Sequence, residues 1–464
     1  MKNLLHQRMH RDLHDRSLFQ NALDRGRGYL ERAPDRAVYP EEQALRDLKC
    51  FDEDMPEQMS DAGEVIGLLQ GYGAPATVAQ MGGRYYGFVT GSVVPAGLAA
   101  KILTTFWDQN SGMYVLSPVA AALEDLVQKW LIQLFGLPAE TVAGFVSGTS
   151  TANFCGLAAA RYRLLKNHGW DIGQKGMYDA PRLRIVTGKH AHSTVLKAIA
   201  LLGLGKEHIE WVDVDDQGRI RADRLPPLDD KTILILQAGN VNSGSFDPFE
   251  EPCRKAHEAG AWVHIDGAFG LWAAAAKDLK HLARGMEGAD SWATDGHKTL
   301  NTPYDSGIVL GRDAEALVAA LHMAGSYIVL SEERDGMFYT PEMSRRARIF
   351  ELWATMKYLG REGIDQLVQG LHDRAVQFAE ELKRIEGFDV LNEVVFNQVI
   401  ACCETDELTQ RTLESIQELR ECWVGGSSWM GRKVIRISLC SWLTTPEDVT
   451  RSVASFERAF NKAY

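Results

Sequence analysis

Lys298 stands in the stretch TDGHKTLNTPYDSG, directly after the short apolar run SWATD. A surface lysine needs no such placement. A lysine used as an amine does, because burial and cationic neighbours favour the neutral, nucleophilic form of that side chain. Asp266 closes a second apolar run, AWVHID. A carboxylate at the end of a buried strand is costly unless a cation or several donors meet it. His264, two residues earlier, shares its face of the strand. His192 lies in HAHSTVLKA, between a strand-like run and a helix-like one; alone it reads as well as a satisfied core histidine as a catalyst. Gly148, Thr149 and Ser150 belong to SGTSTAN, which opens a helix. Small and hydroxyl residues there suit a plain helix start, and they also suit an anion, because free N–H groups and the helix dipole point outward.

These residues need elements that bring them together. SPVAAALEDLVQKWLIQLFGLP predicts a helix with Ser117 as N-cap, Pro118 at the first turn and a stop at Gly136. After it, apolar runs and helical runs alternate: VAGFV, then STANFCGLAAARYRLL; RLRIVTG, then STVLKAIALLG capped by Ser193; then IEWVDV, TILILQAG, AWVHID, SWATD and GIVLG. Nearly continuous apolar runs fit strands buried on both faces of a parallel sheet, hence an α/β fold. Ligands collect at the carboxyl ends of such strands. That rim collects Gly148, Thr149, Ser150, His192, Asn242, Asp266, Ala268, His297 and Lys298. A long helix is expected through RRARIFELWATMKYLG, followed by a smaller α+β domain with strands at NQVIACC, ECWVGGSSW and KVIRISL and a last helix capped by Thr445. The expected divisions are 1–95 (helical), 96–340 (large domain) and 341–464 (small C-terminal α+β domain).

The 464 residues include 45% hydrophobic and 24% charged residues, an ordinary globular composition. A net charge of −12 speaks against a nucleic-acid or anionic-membrane surface. Seven cysteines without a Cys-x-x-Cys pair read as reduced thiols, not as disulfides or a zinc site. No apolar stretch reaches membrane-spanning length, and the N-terminal stretch is too polar for a signal peptide, so a cytoplasmic protein is expected. His6, His10 and His14 share a helix face; this reads as a solvated or subunit-contacting face rather than a metal site, and no metal is assigned.

An anion cradle, a flat ring, a buried carboxylate and an amine are together the parts of a pyridoxal 5′-phosphate (PLP) site. The order SGTSTAN, HAHSTVLKA, HIDGAFG, DGHKT resembles the group II PLP-dependent amino acid decarboxylases, the family of aromatic-L-amino-acid decarboxylase and glutamate decarboxylase. YYGFVTG, SPVAAALE, NTPYDSG and SRRAR are similar to further segments of its bacterial members, so the resemblance runs over about residues 80 to 450. It implies the aspartate-aminotransferase-like PLP-dependent transferase fold (fold type I), with a mostly parallel seven-stranded sheet in the large domain. It implies that Lys298 carries PLP as a Schiff base and that Asp266 pairs with the ring nitrogen. His192 would stack on the ring and Ala268 pack on its other face. Gly148, Thr149 and Ser150 would hold the phosphate, with His297 near it, and Asn242 would steady Asp266 or the ring oxygen. It implies a mobile loop between the two domains with a tyrosine that protonates Cα, for which Tyr339 in SEERDGMFYTPEMSRRAR is the candidate.

The sequence departs from the animal aromatic enzymes at Asp295, where they read asparagine, and at Gly112, where a pocket phenylalanine would fall. The implied activity is decarboxylation of an L-amino acid, an aromatic one among the candidates. The resemblance also implies a homodimer with the N-terminal helices at its interface. Other PLP reactions (transamination, aldehyde-forming decarboxylation, carbon–carbon lysis) would use the same cradle, aspartate and lysine. A cofactor-free binding homologue is opposed by the intact Lys298, Asp266 and His192, and a nucleotide enzyme by the absence of a P-loop or a Gly-x-Gly-x-x-Gly after a strand.

Overall fold

A computed structural model describes residues 4–322 and 332–464. Its largest unit is a seven-stranded sheet built from β1 (Val142–Val146), β2 (Arg184–Gly188), β3 (Ile209–Val212), β4 (Thr232–Gln237), β5 (Trp262–Asp266), β6 (Ser291–Asp295) and β7 (Gly307–Gly311). The order is β1-β7-β6-β5-β4-β2-β3. Strands β6, β5, β4, β2 and β3 are mutually parallel, while β7 runs antiparallel to both β6 and β1. The reversal of β7 brings its first residue, Gly307, rather than its last, to the rim where β1 and β6 end.

Every residue of β5, β6 and β7 is buried. That is why these strands read as unbroken apolar runs. Phe145, Leu234, Val263, Ile265, Trp292 and Ile308 point into one core, shared with Val127 and Leu131 of the helix Pro118–Phe135. Ile185, Ile233, Ile235, Trp262, Ala293 and Val309 point into a second core under the helices Thr149–Asn167, Ser193–Leu201 and Ala314–Leu321. Gly136 ends the helix Pro118–Phe135 in the left-handed region, as expected for a glycine C-cap. Ser117 does occupy its N-cap, but its hydroxyl makes no capping bond and is buried without a partner.

A second, antiparallel sheet has the order β10-β11-β9-β8, from β8 (Asp389–Val390), β9 (Gln398–Cys402), β10 (Gly425–Trp429) and β11 (Arg432–Ser438). It packs with the helices Asp406–Leu419 and Pro446–Ala463 and the end of the helix Ile349–Leu382 around Phe378, Val399, Ile435 and Phe456. Thr445 caps the last helix through a capping box with Asp448. The long helix starts at Ile349, not at the preceding arginines, and changes direction at Gly360. Arg345 is instead drawn into the core, where Nη2 pairs with Glu124 at 2.8 Å, and Arg348 pairs with Asp305 at 3.3 Å. Among the described residues no helix is long and apolar enough to cross a membrane, and no cluster of His, Cys, Asp or Glu is arranged to hold a metal ion.

Candidate active site

Strand alternation places Trp262, His264 and Asp266 on the face of the sheet covered by the Thr149–Asn167 helix. The register sets His264 beside Ser291 and Asp266 beside Ala293, so Asp295, at the end of β6, lies on that same face. Asp266 is 3% exposed. Its Oδ1 accepts from the Ala268 backbone N–H at 3.2 Å, and the nearby Asn153 side chain favours the charged form. Oδ2 is buried with no hydrogen-bond partner. Burial pushes this carboxyl up, and the nearby His192 and Lys298 pull it back down.

Lys298 Nζ is 3.2 Å from Asp295 Oδ2, and His297 Nε2 is 3.6 Å from the same oxygen. Oδ1 of Asp295 is buried without a partner. His297 accepts from the Ser306 backbone N–H through Nδ1 (3.0 Å) and stacks on Tyr304; burial holds its pKa below the ordinary value. Gly148 lies at the start of the Thr149–Asn167 helix, whose first turn has no side-chain cap. A Cβ at Gly148 would sit 3.5 Å from His297 Cε1 and 3.6 Å from Asp295 Oδ1, so the helix start, His297 and Asp295 share one corner. Thr149 Oγ1 is buried there without a partner, and Ser150 is exposed.

His192, not Ser193, is the N-cap of the Ser193–Leu201 helix. Its Nδ1 accepts from the Thr194 backbone N–H at 3.3 Å. Burial lowers the pKa of His192; the Asp266 carboxylate opposes this, and Lys298 and Arg436 add to it. His192 thus lies within electrostatic reach of Asp266, Lys298 and Arg436. Arg436 enters from β11 of the smaller sheet. Its Nη1 donates to the Val241 carbonyl at 3.3 Å, while Nε is buried without a partner. The sequence reading passed over Arg436, although an arginine inside the apolar run KVIRISL carries the same signal as the aspartate in AWVHID. It also passed over Asn153, hidden among ordinary helix residues.

Two expected site residues stand apart within the chain. The Asn242 amide oxygen accepts from the Ser427 hydroxyl of β10 at 2.8 Å, and not from any group around Asp266. Tyr339 packs on the second core at the edge of the sheet, with its carbonyl carbon 3.0 Å from the Cβ position of Gly144 in mid-β1. The Arg334 guanidinium lies 4.1 Å over its ring and pairs with Glu124 at 2.9 Å. Ser331, the first residue of the loop segment assigned to this tyrosine, lies outside the described residues.

A buried Asp266 oxygen without a partner, the Lys298 amine and an uncapped helix start on the same rim fit the ring nitrogen, the aldehyde and the phosphate of PLP. Comparison with known proteins agrees with that fit. The pyridoxal-dependent decarboxylase conserved domain matches residues 51–402. The acidic amino acid decarboxylase GADL1 of Mus musculus is 28% identical over 320 residues, 65% of this chain and 56% of its own length, so the chain spans little more than half of that relative. The L-2,4-diaminobutyrate decarboxylase of Rhizobium meliloti is 28% identical over 378 residues, 77% of this chain and 74% of its own. The fold is shared with Oryza sativa TDC, solved with PLP and tryptamine (TM-score 0.87, 21% identity, 96% of this chain and 97% of that one). It is also shared with mouse CSAD (TM-score 0.86, 20% identity, 96% and 99%). With a family match over most of its length, the chain belongs to the pyridoxal-dependent decarboxylases.

Proposed function

We propose that this protein decarboxylates an L-amino acid, using PLP held on Lys298. The observation that carries the reading is the orphaned Oδ2 of Asp266, on the same face and rim as Lys298 and the uncapped helix start. In this reading Lys298 holds the aldehyde carbon, Asp266 the ring nitrogen, and Gly148, Thr149 and Ser150 the phosphate, with His297 beside it. His192 and Ala268 lie on the two ring faces. When bound, PLP supplies an electron sink for the pair left on Cα as carbon dioxide departs.

The chain's own residues determine which bond breaks. Arg436, with a spare buried N–H, and His192 hold the substrate carboxylate, and the rigid rim fixes its orientation. The proton that returns to Cα is drawn from solvent on the His192 side, since a neutral ring offers its Nε2–H only as a hydrogen bond; Tyr339 is packed under Arg334 in the same chain. The substrate class stays at "L-amino acid", because relatives carry names for acidic, sulfinic and diamino substrates. Leu4, Met9 and Leu13 leave an apolar face of the first helices open to solvent, which supports their burial against a second copy in a homodimer.

The test is a product assay. The protein is incubated with PLP and each common L-amino acid, together with cysteine sulfinate and diaminobutyrate, and products are identified by mass. An amine lighter than its substrate by carbon dioxide supports the proposal. A keto acid or an aldehyde overturns the assigned reaction while keeping the cofactor site. Borohydride reduction and peptide mapping should place the pyridoxyl group on Lys298; a label on another lysine refutes that assignment.

A further inference from the structure

A buried line of hydrogen bonds runs from the middle of the sheet to His192. The Trp262 indole N–H donates to Ser291 Oγ at 3.0 Å, and Ser291 Oγ lies 2.8 Å from His264 Nδ1. His264 Nε2 lies 2.9 Å from Asn153 Oδ1. Asn153 Nδ2 donates to Thr194 Oγ1 at 3.3 Å, and Thr194 Oγ1 lies 2.8 Å from His192 Nδ1. Trp262, Ser291, His264 and Asn153 are all buried. The line exists because the covering helix has a glycine at position 156, where a Cβ would come within 2.7 Å of His264 Cε1.

The direction of each link is set by the groups that can act in only one sense. The Asn153 amide oxygen only accepts, so neutral His264 has a bare Nδ1, which accepts from the Ser291 hydroxyl, while the Ser291 oxygen accepts from the Trp262 indole N–H. The His264 proton then sits on Nε2 and is donated to the Asn153 carbonyl oxygen. The Asn153 amide donates to Thr194, and the Thr194 hydroxyl donates to His192 Nδ1. From the opposite end, the Thr194 backbone N–H caps that same Nδ1, which requires the nitrogen to be unprotonated. Burial keeps His264 neutral, with its pKa lowered to about 3, so acid does not reverse the line under ordinary conditions.

We propose that Thr194, Asn153 and His264 are positioning residues that lock His192 into the tautomer with its proton on Nε2, the nitrogen left to face the site. Asn153 touches both functional groups at once, since the same side chain also lowers the pKa of the Asp266 carboxyl. A set of merely satisfied core groups would not need one consistent direction ending on the ring of the site. The catalytic consequence rests on the proposed function; the tautomer does not.

The full-length protein labelled with ¹⁵N-histidine, cofactor-free and PLP-loaded, reports the tautomer by two-bond nitrogen–proton correlation spectra, with His192 identified by loss of its signals in His192→Asn. Wild type should carry the proton on Nε2. Thr194→Asp places an acceptor where the hydroxyl donated and still accepts from Asn153. It should move the ring proton from Nε2 to Nδ1 and lower kcat by about a hundredfold or more, the usual cost of losing one positioned hydrogen-bond donor, with KM changing less. Thr194→Ser keeps the hydroxyl and should restore both the tautomer and, within about threefold, kcat, the loss of less than one hydrogen bond. A wild-type ring protonated on Nδ1 overturns the proposal. So does a Thr194→Asp ring with Nδ1 still bare, or one that gains the proton without loss of kcat. If the ring responds as expected but no amino acid is decarboxylated, the tautomer lock stands and the proposed function falls.

Discussion

Gly307→Ala tests the assembly of the cradle. Gly307 opens β7 opposite Val146 and Asp295. An added Cβ would sit 2.6 Å from the Gly148 carbonyl carbon and closer still to its Cα and nitrogen. Carbon–carbon contacts settle at ~3.5–4.0 Å, so the Ser147–Thr149 turn has to retreat by roughly 1 Å. All three near atoms are backbone, so no rotamer change relieves the clash. Overpacking of this kind costs about 1–3 kcal/mol. The turn is less enclosed than the sheet interior and should absorb most of that movement, which weakens PLP binding by about tenfold to a hundredfold at ~1.4 kcal/mol per tenfold. Gly311→Ala, at the other end of the same strand, is the control, because its Cβ would first meet the flexible Leu317 side chain at an ordinary 3.4 Å. The assays are fluorescence titration of cofactor-free protein with PLP and thermal unfolding. Wild-type PLP affinity in Gly307→Ala, with a Tm matching Gly311→Ala, would refute the placement of the phosphate at Gly148.

Asp295→Asn removes a carboxylate that sits at the cradle with one oxygen unpartnered, so inorganic phosphate should bind the cofactor-free protein about tenfold more tightly by calorimetry; unchanged or weaker binding would refute the placement of the phosphate beside Asp295. His264 is buried and neutral down to about 3, whereas the unfolded chain takes up that proton near pH ~6.5. The unfolded state therefore binds more protons between those values, and stability falls with falling pH in that window at up to about 1.4 kcal/mol per unit. His264→Gln, which keeps a donor toward Asn153, should flatten the denaturant-measured slope, and an unchanged slope would show that this histidine protonates in the native state. Tyr339→Phe should leave kcat within about twofold, because the ring can still stack under Arg334; a loss of tenfold or more would restore Tyr339 as the proton donor.

The rim was legible in the sequence because β5 and β6 are buried on both faces. Polar residues at the ends of such runs stand out against the apolar background, which is how Asp266, Lys298 and the SGTST helix start came into view. What escaped depends on tertiary partners. The segment SRRAR has ordinary helix-forming residues, yet Arg345 and Arg348 leave the helix for Glu124 and Asp305, carboxylates far away in the chain. Ser193 looks like the better cap, and the structure uses His192 because its ring can turn Nδ1 onto the Thr194 N–H. Asn242 follows a strand on the right rim, but Ser427 of the smaller sheet takes its amide oxygen. The direction of β7 left no mark on the composition of GIVLG, because an enclosed strand is equally apolar in either sense.

One part of the site was written in two periodicities that become visible only when laid against each other. Strand spacing of two puts Trp262, His264 and Asp266 on one face. Helix spacing of four and three puts Thr149, Asn153 and Gly156 on one stripe of the helix crossing that face. The pairs then meet in order: Gly156 makes room for His264, Asn153 bonds His264 and lies near Asp266, and Thr149 reaches the cradle. An amphipathic reading of the helix scores that stripe as weak, since it holds a threonine, an asparagine and a glycine where a core helix would carry leucine. The stripe is polar because the strand beneath it is polar, and each supplies the hydrogen bonds that burial denies to the other. A polar stripe at helical spacing, on a helix that must cover a strand with polar residues at alternate positions, is therefore a signal for a site in its own right.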